Sequence, residues 1–132
     1  MRFFSPALIA IAATALVQGQ TTTYELVFDN LTAAINGLDF ITFGLVETVH
    51  ACMDFCDSVE GCLFINPFHD VNGKDGSPDL TCSLYAGCHT VVDATNTGGQ
   101  TQPDGTINSI ADSSGFCKTN VTVTEPPEGT AD

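Results

Sequence analysis

Residues Thr48 to Cys62, T-V-H-A-C-M-D-F-C-D-S-V-E-G-C, contain three of the six cysteines of a 132-residue chain. Their apolar and cysteine side chains recur every three or four residues, which predicts one face of an α-helix: Val49, Cys52, Met53, Cys56 and Val59. Thr48 is suited to cap this helix, and Gly61 stands where a helix commonly ends. Cys52 and Cys56 are one turn apart, so their side chains leave the same face in parallel. Parallel Cβ vectors make a poor disulfide, and each cysteine is therefore expected to bond to another part of the chain.

The chain begins with the pattern of a secretory signal. Met1-Arg2 is a short basic start, the run from Phe3 to Val17 is mostly apolar, and Val17 and Gly19 are small enough for a cleavage site. We expect residues 1–19 to be removed and the protein to be secreted into the extracellular space or the cell wall. All six cysteines follow this segment, and an even number in a secreted chain indicates a disulfide framework. A zinc site is the alternative, but no second ligand pair with zinc spacing follows the C-x3-C of the predicted helix.

The charge balance limits the partners. Loss of residues 1–19 leaves two basic and 16 acidic residues, a formal charge of −14. A nucleic acid or an anionic membrane would need lysine and arginine partners, so we expect neither as a ligand. Attraction of cations or basic proteins is one interpretation of the charge, and simple solubility in an acidic medium is the other.

The remainder of the chain favours short strands. Alternation or apolar runs predict a first strand at 21–28, a buried strand at 40–46, and further strands at 62–65, 80–85, 107–110 and 116–117. Asn66-Pro67 is expected to end the third of these, and 68–79 and 97–105 are predicted as loops, with a short helix at 90–96. In 80–85 the alternation directs Cys82 and Leu84 inward. Residues 119–132 are predicted to be a disordered acidic Thr/Pro tail, and Asn30 and Asn120 begin N-glycosylation sequons.

The cysteine spacing resembles that of a known family. C-x3-C-x5-C at Cys52, Cys56 and Cys62, followed by L-F-I at 63–65 and L-T-C-S-L-Y at 80–85, resembles a PAN/apple-type domain. That resemblance implies an α+β fold for residues 20–118, with the helix packed on a curved antiparallel sheet. It also implies the disulfides Cys52–Cys82 and Cys56–Cys62, which leaves Cys88 and Cys117 for the third bond. The segments C-D-S-V-E-G-C-L-F-I-N, H-D-V-N-G-K-D-G-S-P and D-A-T-N-T-G-G-Q-T-Q-P-D-G resemble more narrowly small secreted fruit-body-specific proteins of mushroom-forming fungi.

Three sets of residues were candidates for chemistry. The loop from Asp70 to Gly76 is rich in oxygen ligands, but its register departs from that of an EF-hand and Lys74 would repel a cation. His69, Asp70 and Ser83 could compose a catalytic triad only on paper, since no nucleophile motif surrounds them. The better candidate is a ligand-binding patch of Phe68, His69, Asp70 and Tyr85, called here the predicted patch. Its alternative is a loop folded over the sheet edge.

The resemblance implies a function of recognition. PAN/apple-type domains mediate extracellular contacts, so we expect a non-catalytic module without cofactor or metal that binds an extracellular carbohydrate or protein. The alternative is a structural or developmental secreted protein of a fruiting body that has no high-affinity ligand. We do not expect an enzyme, because all cysteines are expected to be oxidised and a small disulfide-rich domain has little room for a closed active site.

Overall fold

The computed structural model describes the backbone of residues 17–125 and the side chains of 22–119. Within residues 17–125 there are one α-helix and seven strands: β1 Val17–Leu31, β2 Phe40–Val46, α1 Val49–Asp57, β3 Phe64–Val71, β4 Leu80–Tyr85, β5 Gly98–Thr101, β6 Ile107–Ala111 and β7 Ser113–Glu125. Residues 24–119 form one compact unit, and the outer ends of β1 and β7 belong to a second. Among the described residues no helix has the length and apolarity needed to cross a membrane.

The predicted signal segment and the predicted disordered tail lie at the two ends of the chain. Residues 1–16 of the predicted signal segment lie outside the described residues, while Val17–Gly19 belong to β1. The tail was predicted to be disordered from Thr119, whereas β7 continues to Glu125 and only 126–132 lie outside the described residues.

The helix begins as predicted and ends earlier. The Thr48 side chain accepts a hydrogen bond from the Ala51 backbone N–H at 3.0 Å. Ser58 caps the other end, because its N–H donates to the Asp54 carbonyl and its hydroxyl donates to the Phe55 carbonyl. These bonds satisfy carbonyls that have no partner further along the helix. Gly61 instead supplies a positive φ of 85° in the turn that leads into β3.

The strands form one sheet in the order β1-β7-β3-β4-β2, with β6 beside β3 and β5 beside β6. The pairings among β2 to β7 are antiparallel. The predicted bounds of β2 and β4 are correct. The prediction that Asn66-Pro67 ends β3 is wrong, since β3 continues to Val71. β3 pairs with β7 at Phe64–Ile65 and with β6 at His69–Val71, so Pro67 lies between these two ladders. A proline is tolerated there because that side of β3 has no strand partner needing its N–H.

Two of the three disulfides join the pairs that the resemblance implies, and the third joins the two remaining cysteines. Cys52–Cys82 links the middle of α1 to β4, Cys56–Cys62 closes the turn after α1, and Cys88–Cys117 links the segment after β4 to β7. The first two lie in a core between helix and sheet that also contains Ile65 and Leu84. The fold is thus a small α+β disulfide-rich domain.

The opposite face of the sheet is also covered. Phe28, Ile35, Phe64 and Tyr85 form one cluster there, and Ala34, Phe68 and Ile110 form another. The segment after β1 provides Ala34 and Ile35, and a bridge between Ala34 and Asn96 joins it to the chain before β5. As a result every residue of β4 from Thr81 to Tyr85 is buried, although alternation alone directs only Cys82 and Leu84 inward.

Candidate functional site

The structure does not bring the predicted patch together as an accessible surface. Phe68 and Tyr85 are both buried, and they belong to different clusters on the covered face. Tyr85 pairs with Phe64, four residues from Phe68 along β3, and its hydroxyl donates to the Ile35 carbonyl at 2.9 Å. Burial, and secondarily the nearby Asp39, raises the pKa of Tyr85 to about 12. These aromatic residues are therefore structural.

The polar members of the predicted patch have separate partners. His69 Nδ1 is 2.9 Å from Asp112 Oδ2, and this pair is exposed. Asp70 accepts hydrogen bonds from Lys74 Nζ at 2.6 Å and from Asn108 Nδ2 at 2.7 Å. Both carboxylate oxygens of Asp70 are thus occupied by protein donors, and a lysine holds the position that a cation would need.

Other candidates from the sequence are also separated. His69 and Asp70 are consecutive in β3, so their side chains leave opposite faces, and Ser83 pairs with Asn66 on the face of Asp70. His69, Asp70 and Ser83 therefore do not form a catalytic triad. Within the described side chains no group of three or more His, Cys, Asp or Glu residues could hold a metal ion. Asn30 is exposed at the end of β1, and the side chain of Asn120 lies outside the described ones.

A histidine held by two carboxylates lies beside the covered face. His89 Nε2 is 2.7 Å from Asp39 Oδ1 and His89 Nδ1 is 2.8 Å from Asp93 Oδ2; these three residues are called the His89 cluster. The other oxygen of Asp39 accepts from the Gly87 N–H at 2.8 Å. The rings of Phe64 and Tyr85 contact the imidazole edge to face. Gly37 permits this arrangement, because a Cβ there would lie 2.8 Å from His89 Cε1.

The two carboxylates change how His89 titrates. Burial by itself would lower the pKa of His89, but the hydrogen bonds and charges of Asp93 and Asp39 outweigh it and raise the pKa. Burial likewise opposes ionisation of Asp39, and the bonds from His89 and Gly87 outweigh it and lower the pKa of that carboxyl. When His89 is protonated, both ring nitrogens donate hydrogen bonds to carboxylates, so neither nitrogen can deprotonate a nucleophile. The His89 cluster joins the chain before β2 to the chain after β4, which is a structural role.

We expect the His89 cluster to make stability depend on pH. Since the pKa of His89 is raised in the fold, its contribution is complete below the ordinary value of 6.5 and is lost as pH rises through the folded pKa. The melting temperature should therefore fall between pH 6 and pH 8.5 in the wild type and change less in His89→Gln. Thermal unfolding followed by circular dichroism measures this, with His50→Gln as control because His50 is exposed on α1. An identical pH dependence in wild type and His89→Gln would contradict the assignment.

A row of half-exposed apolar side chains lies on β2. The sequence predicted a buried strand, but β2 is an edge strand of the sheet and its large side chains are half exposed: Phe40 46%, Phe43 45% and Leu45 43%. Lys74 lies over this row, with its Nζ 5.1 Å from the centroid of the Phe43 ring. Phe40, Phe43, Leu45 and Lys74 are called the β2 surface below.

A β-bulge produces this alignment. Phe40 pairs with Tyr85 and Thr42 with Leu84, so Ile41 is an extra residue in the ladder. Ile41 packs toward the helix core, and Leu84, the partner of Thr42, also lies in that core. Phe40, Phe43 and Leu45 then pair with Tyr85, Ser83 and Thr81, which alternate along one face of β4. The bulge therefore places Phe40 on the same face as Phe43 and Leu45.

An open cleft of about 270 Å³ lies between two loops. It is lined by Asn72, Asp75, Gly76, Gln102, Pro103 and Asp104. Its two carboxylates are exposed, and Asp104 accepts hydrogen bonds from the Thr106 N–H and hydroxyl, which lower its pKa. The bonds between Asp104 and Thr106 are those of a turn capped by an aspartate side chain.

Comparison of the chain with models of protein families, with curated proteins and with solved structures found no match.

Proposed function

We propose that the protein is a secreted, non-catalytic recognition module that binds an extracellular carbohydrate or protein through the β2 surface. The observation that supports this most is the half-exposed row of Phe40, Phe43 and Leu45 on the edge strand. An uncovered row of large apolar side chains lowers solubility unless it has a partner, and such surfaces commonly mark interaction sites. The PAN/apple-like resemblance of the sequence favours the same class of function.

The polar groups of the domain favour binding over catalysis. His89 is bonded to two carboxylates, His69 to Asp112, and both lysines form ion pairs, Lys74 with Asp70 and Lys118 with Asp57. The three disulfides occupy all six cysteines. Groups engaged in this way hold the fold and are poorly placed to act as nucleophile or general base. Secretion is part of the proposal and is supported by the disulfides.

The test uses the purified, oxidised chain on a glycan array and on an array of short peptides. Wild type should show saturable binding on one of the two arrays, and Phe43→Ser should lose it, because serine removes the central ring of the β2 surface. Ile107→Ser is the matched control: Ile107 is 58% exposed, but it lies in β6, which is separated from β2 by β3 and β4. Its binding should equal that of wild type.

Two outcomes would reject the proposal. The absence of saturable binding on both arrays would favour the alternative, a structural secreted protein without a high-affinity ligand. Equal binding by Phe43→Ser and wild type would mean that the ligand is bound elsewhere than at the β2 surface.

A further inference from the structure

The backbone of β2 has hydrogen-bonding groups that the described sheet leaves unused. The Tyr85 carbonyl accepts from the Leu63 N–H, on the β3 side of β4. In an antiparallel ladder, residues two apart bond to the same side, so Ser83 and Thr81 also bond toward β3 and Leu84, Cys82 and Leu80 toward β2. The β2 partners of Ser83 and Thr81 are Phe43 and Leu45. Their N–H and C=O groups therefore point away from β4, at the free edge.

The free edge has few of the features that usually block strand addition. β2 has the sequence F-I-T-F-G-L-V, with neither a charged residue nor a proline in seven positions. Natural edge strands are usually protected by lysine, by proline or by an inward-pointing charge. The bulge of β2 is confined to its first residues, and Thr42 to Val46 pair regularly with β4. Phe43 and Leu45 thus combine outward backbone groups with half-exposed side chains.

We infer that β2 accepts an extended segment of a partner protein as an additional strand, and that this segment carries basic residues at its ends. The inference rests on the proposed function and gives its ligand a chemical class. Backbone hydrogen bonds to Phe43 and Leu45 contribute affinity, and the β2 surface receives alternate apolar side chains of the segment.

Charge identifies the partner as basic. β2 is followed by the exposed Glu47 and preceded by Asp39 of the His89 cluster, in which two carboxylates share one imidazolium. The chain carries a formal net charge of −13, and both lysines are paired within the domain. A second copy of this chain is a poor occupant. Antiparallel pairing of two β2 strands centred on Phe43 would place Asp39 of each copy opposite Glu47 of the other, and like charges directly opposite destabilise a strand pair. A segment with terminal lysine or arginine residues meets Glu47 at one end and the net negative His89 cluster at the other, and both contacts are favourable.

The test uses blocked seven-residue peptides that alternate varied apolar residues with threonine, each made with lysine at both ends and with glutamate at both ends. Lysine-ended peptides should bind the wild-type chain in a calorimetric titration, and their glutamate-ended counterparts should bind at least about tenfold more weakly. Leu45→Ser and Leu45→Pro both remove the leucine, but only proline removes the outward N–H. A proline with its N–H position at the free edge is tolerated in the fold. Leu45→Pro should therefore bind about tenfold more weakly than Leu45→Ser.

A second measurement uses only the wild-type chain, so it does not depend on the folding of Leu45→Pro. In hydrogen exchange followed by NMR, the amides of Phe43 and Leu45 should exchange quickly without peptide and slow markedly with it. Those of Thr42 and Gly44, which bond to β4, should be slow in both states. The inference is overturned if no lysine-ended peptide binds, if both end types bind equally, or if bound peptide leaves Phe43 and Leu45 exchange unchanged. Binding confined to the glycan array would overturn this inference and leave the proposed function standing.

Discussion

Removal of the Cys52–Cys82 disulfide is expected to be far more damaging than removal of Cys56–Cys62. The first bond closes a loop with a sequence separation of 30 and the second a loop with a separation of 6. The chain-entropy model gives about 3.7 kcal/mol for the longer loop and about 2.4 kcal/mol for the shorter. Cys52–Cys82 is also the bond that connects α1 directly to β4. Its loss weakens the burial of Met53 and Val59, which pack on the helix core, and full burial of such a side chain is worth about 1.5–3 kcal/mol.

The comparison uses the double variants Cys52→Ala/Cys82→Ala and Cys56→Ala/Cys62→Ala. Secretion yield and urea unfolding are the measurements. The variant lacking Cys52 and Cys82 should be secreted poorly, and the other should fold with a lower urea midpoint. Other contacts hold α1 to the sheet: the Tyr24 hydroxyl bonds to the Met53 carbonyl and Asp57, and Phe55 packs on Gly44. If these contacts suffice, the two variants will unfold alike, and the importance assigned to the long disulfide is wrong.

The second large effect is expected at Asn66, which is fully buried in β3. Its Oδ1 accepts from the Ile35 N–H at 2.8 Å, and its Nδ2 donates to Ser113 Oγ at 3.0 Å and to the Ser114 carbonyl at 2.7 Å. One side chain thus joins the segment that covers the second face, the middle of the sheet and the start of β7. Asn66→Leu preserves most of the volume and leaves these partners buried without a bond, at a cost of about 1–3 kcal/mol each.

The summed loss over the three partners, about 3–9 kcal/mol, is comparable to the whole stability of a small domain. Chemical denaturation at neutral pH should therefore find Asn66→Leu unfolded or close to it. Asn96→Leu is the control, because the Asn96 side chain also accepts a backbone N–H, from Gly98 at 3.0 Å, but at an exposed position where water replaces it. A loss below about 1 kcal/mol for Asn66→Leu would show that the cluster of bonds is dispensable.

The sequence predicted the parts of the fold that have a local signal. The helical spacing of Val49 to Val59 and the cap at Thr48 located α1, and the apolar runs at 40–46 and 80–85 gave two strands with correct bounds. The predicted end of β3 was too early because Asn66-Pro67 is usually a turn signal. The gap between the β7 and β6 ladders, which makes Pro67 acceptable, involves residues more than 40 positions away. β5 was missed because G-G-Q-T has no apolar pattern.

The site was harder to predict, and the reason is strand order. An apolar run such as F-I-T-F-G-L-V suggests burial, but hydropathy does not show whether a strand lies in the centre of a sheet or at its edge. The burial of Phe68 and Tyr85 could not be predicted, because the covering segment at 31–36 has no periodicity of its own. The position of Asp39 near His89, 50 residues later, likewise has no sequence signal. Local patterns define elements, and pairing between distant segments decides which faces remain exposed.

The order of strands also sets the order in which the domain can be assembled during synthesis. β2, α1, β3 and β4 all lie between residues 40 and 85, and this segment contains both disulfides of the helix. β3 obtains its other neighbours only from β6 and β7, which begin at Ile107 and Ser113, and Cys88 obtains its partner only at Cys117. A nascent chain therefore has the cysteines of both helix disulfides before the strands on the far side of β3 have been synthesised. Until β7 is synthesised, the Asn66 side chain lacks its hydrogen-bond partners Ser113 and Ser114. During that interval a disulfide isomerase or a chaperone would meet a sheet in which one side of β3 has no neighbouring strand.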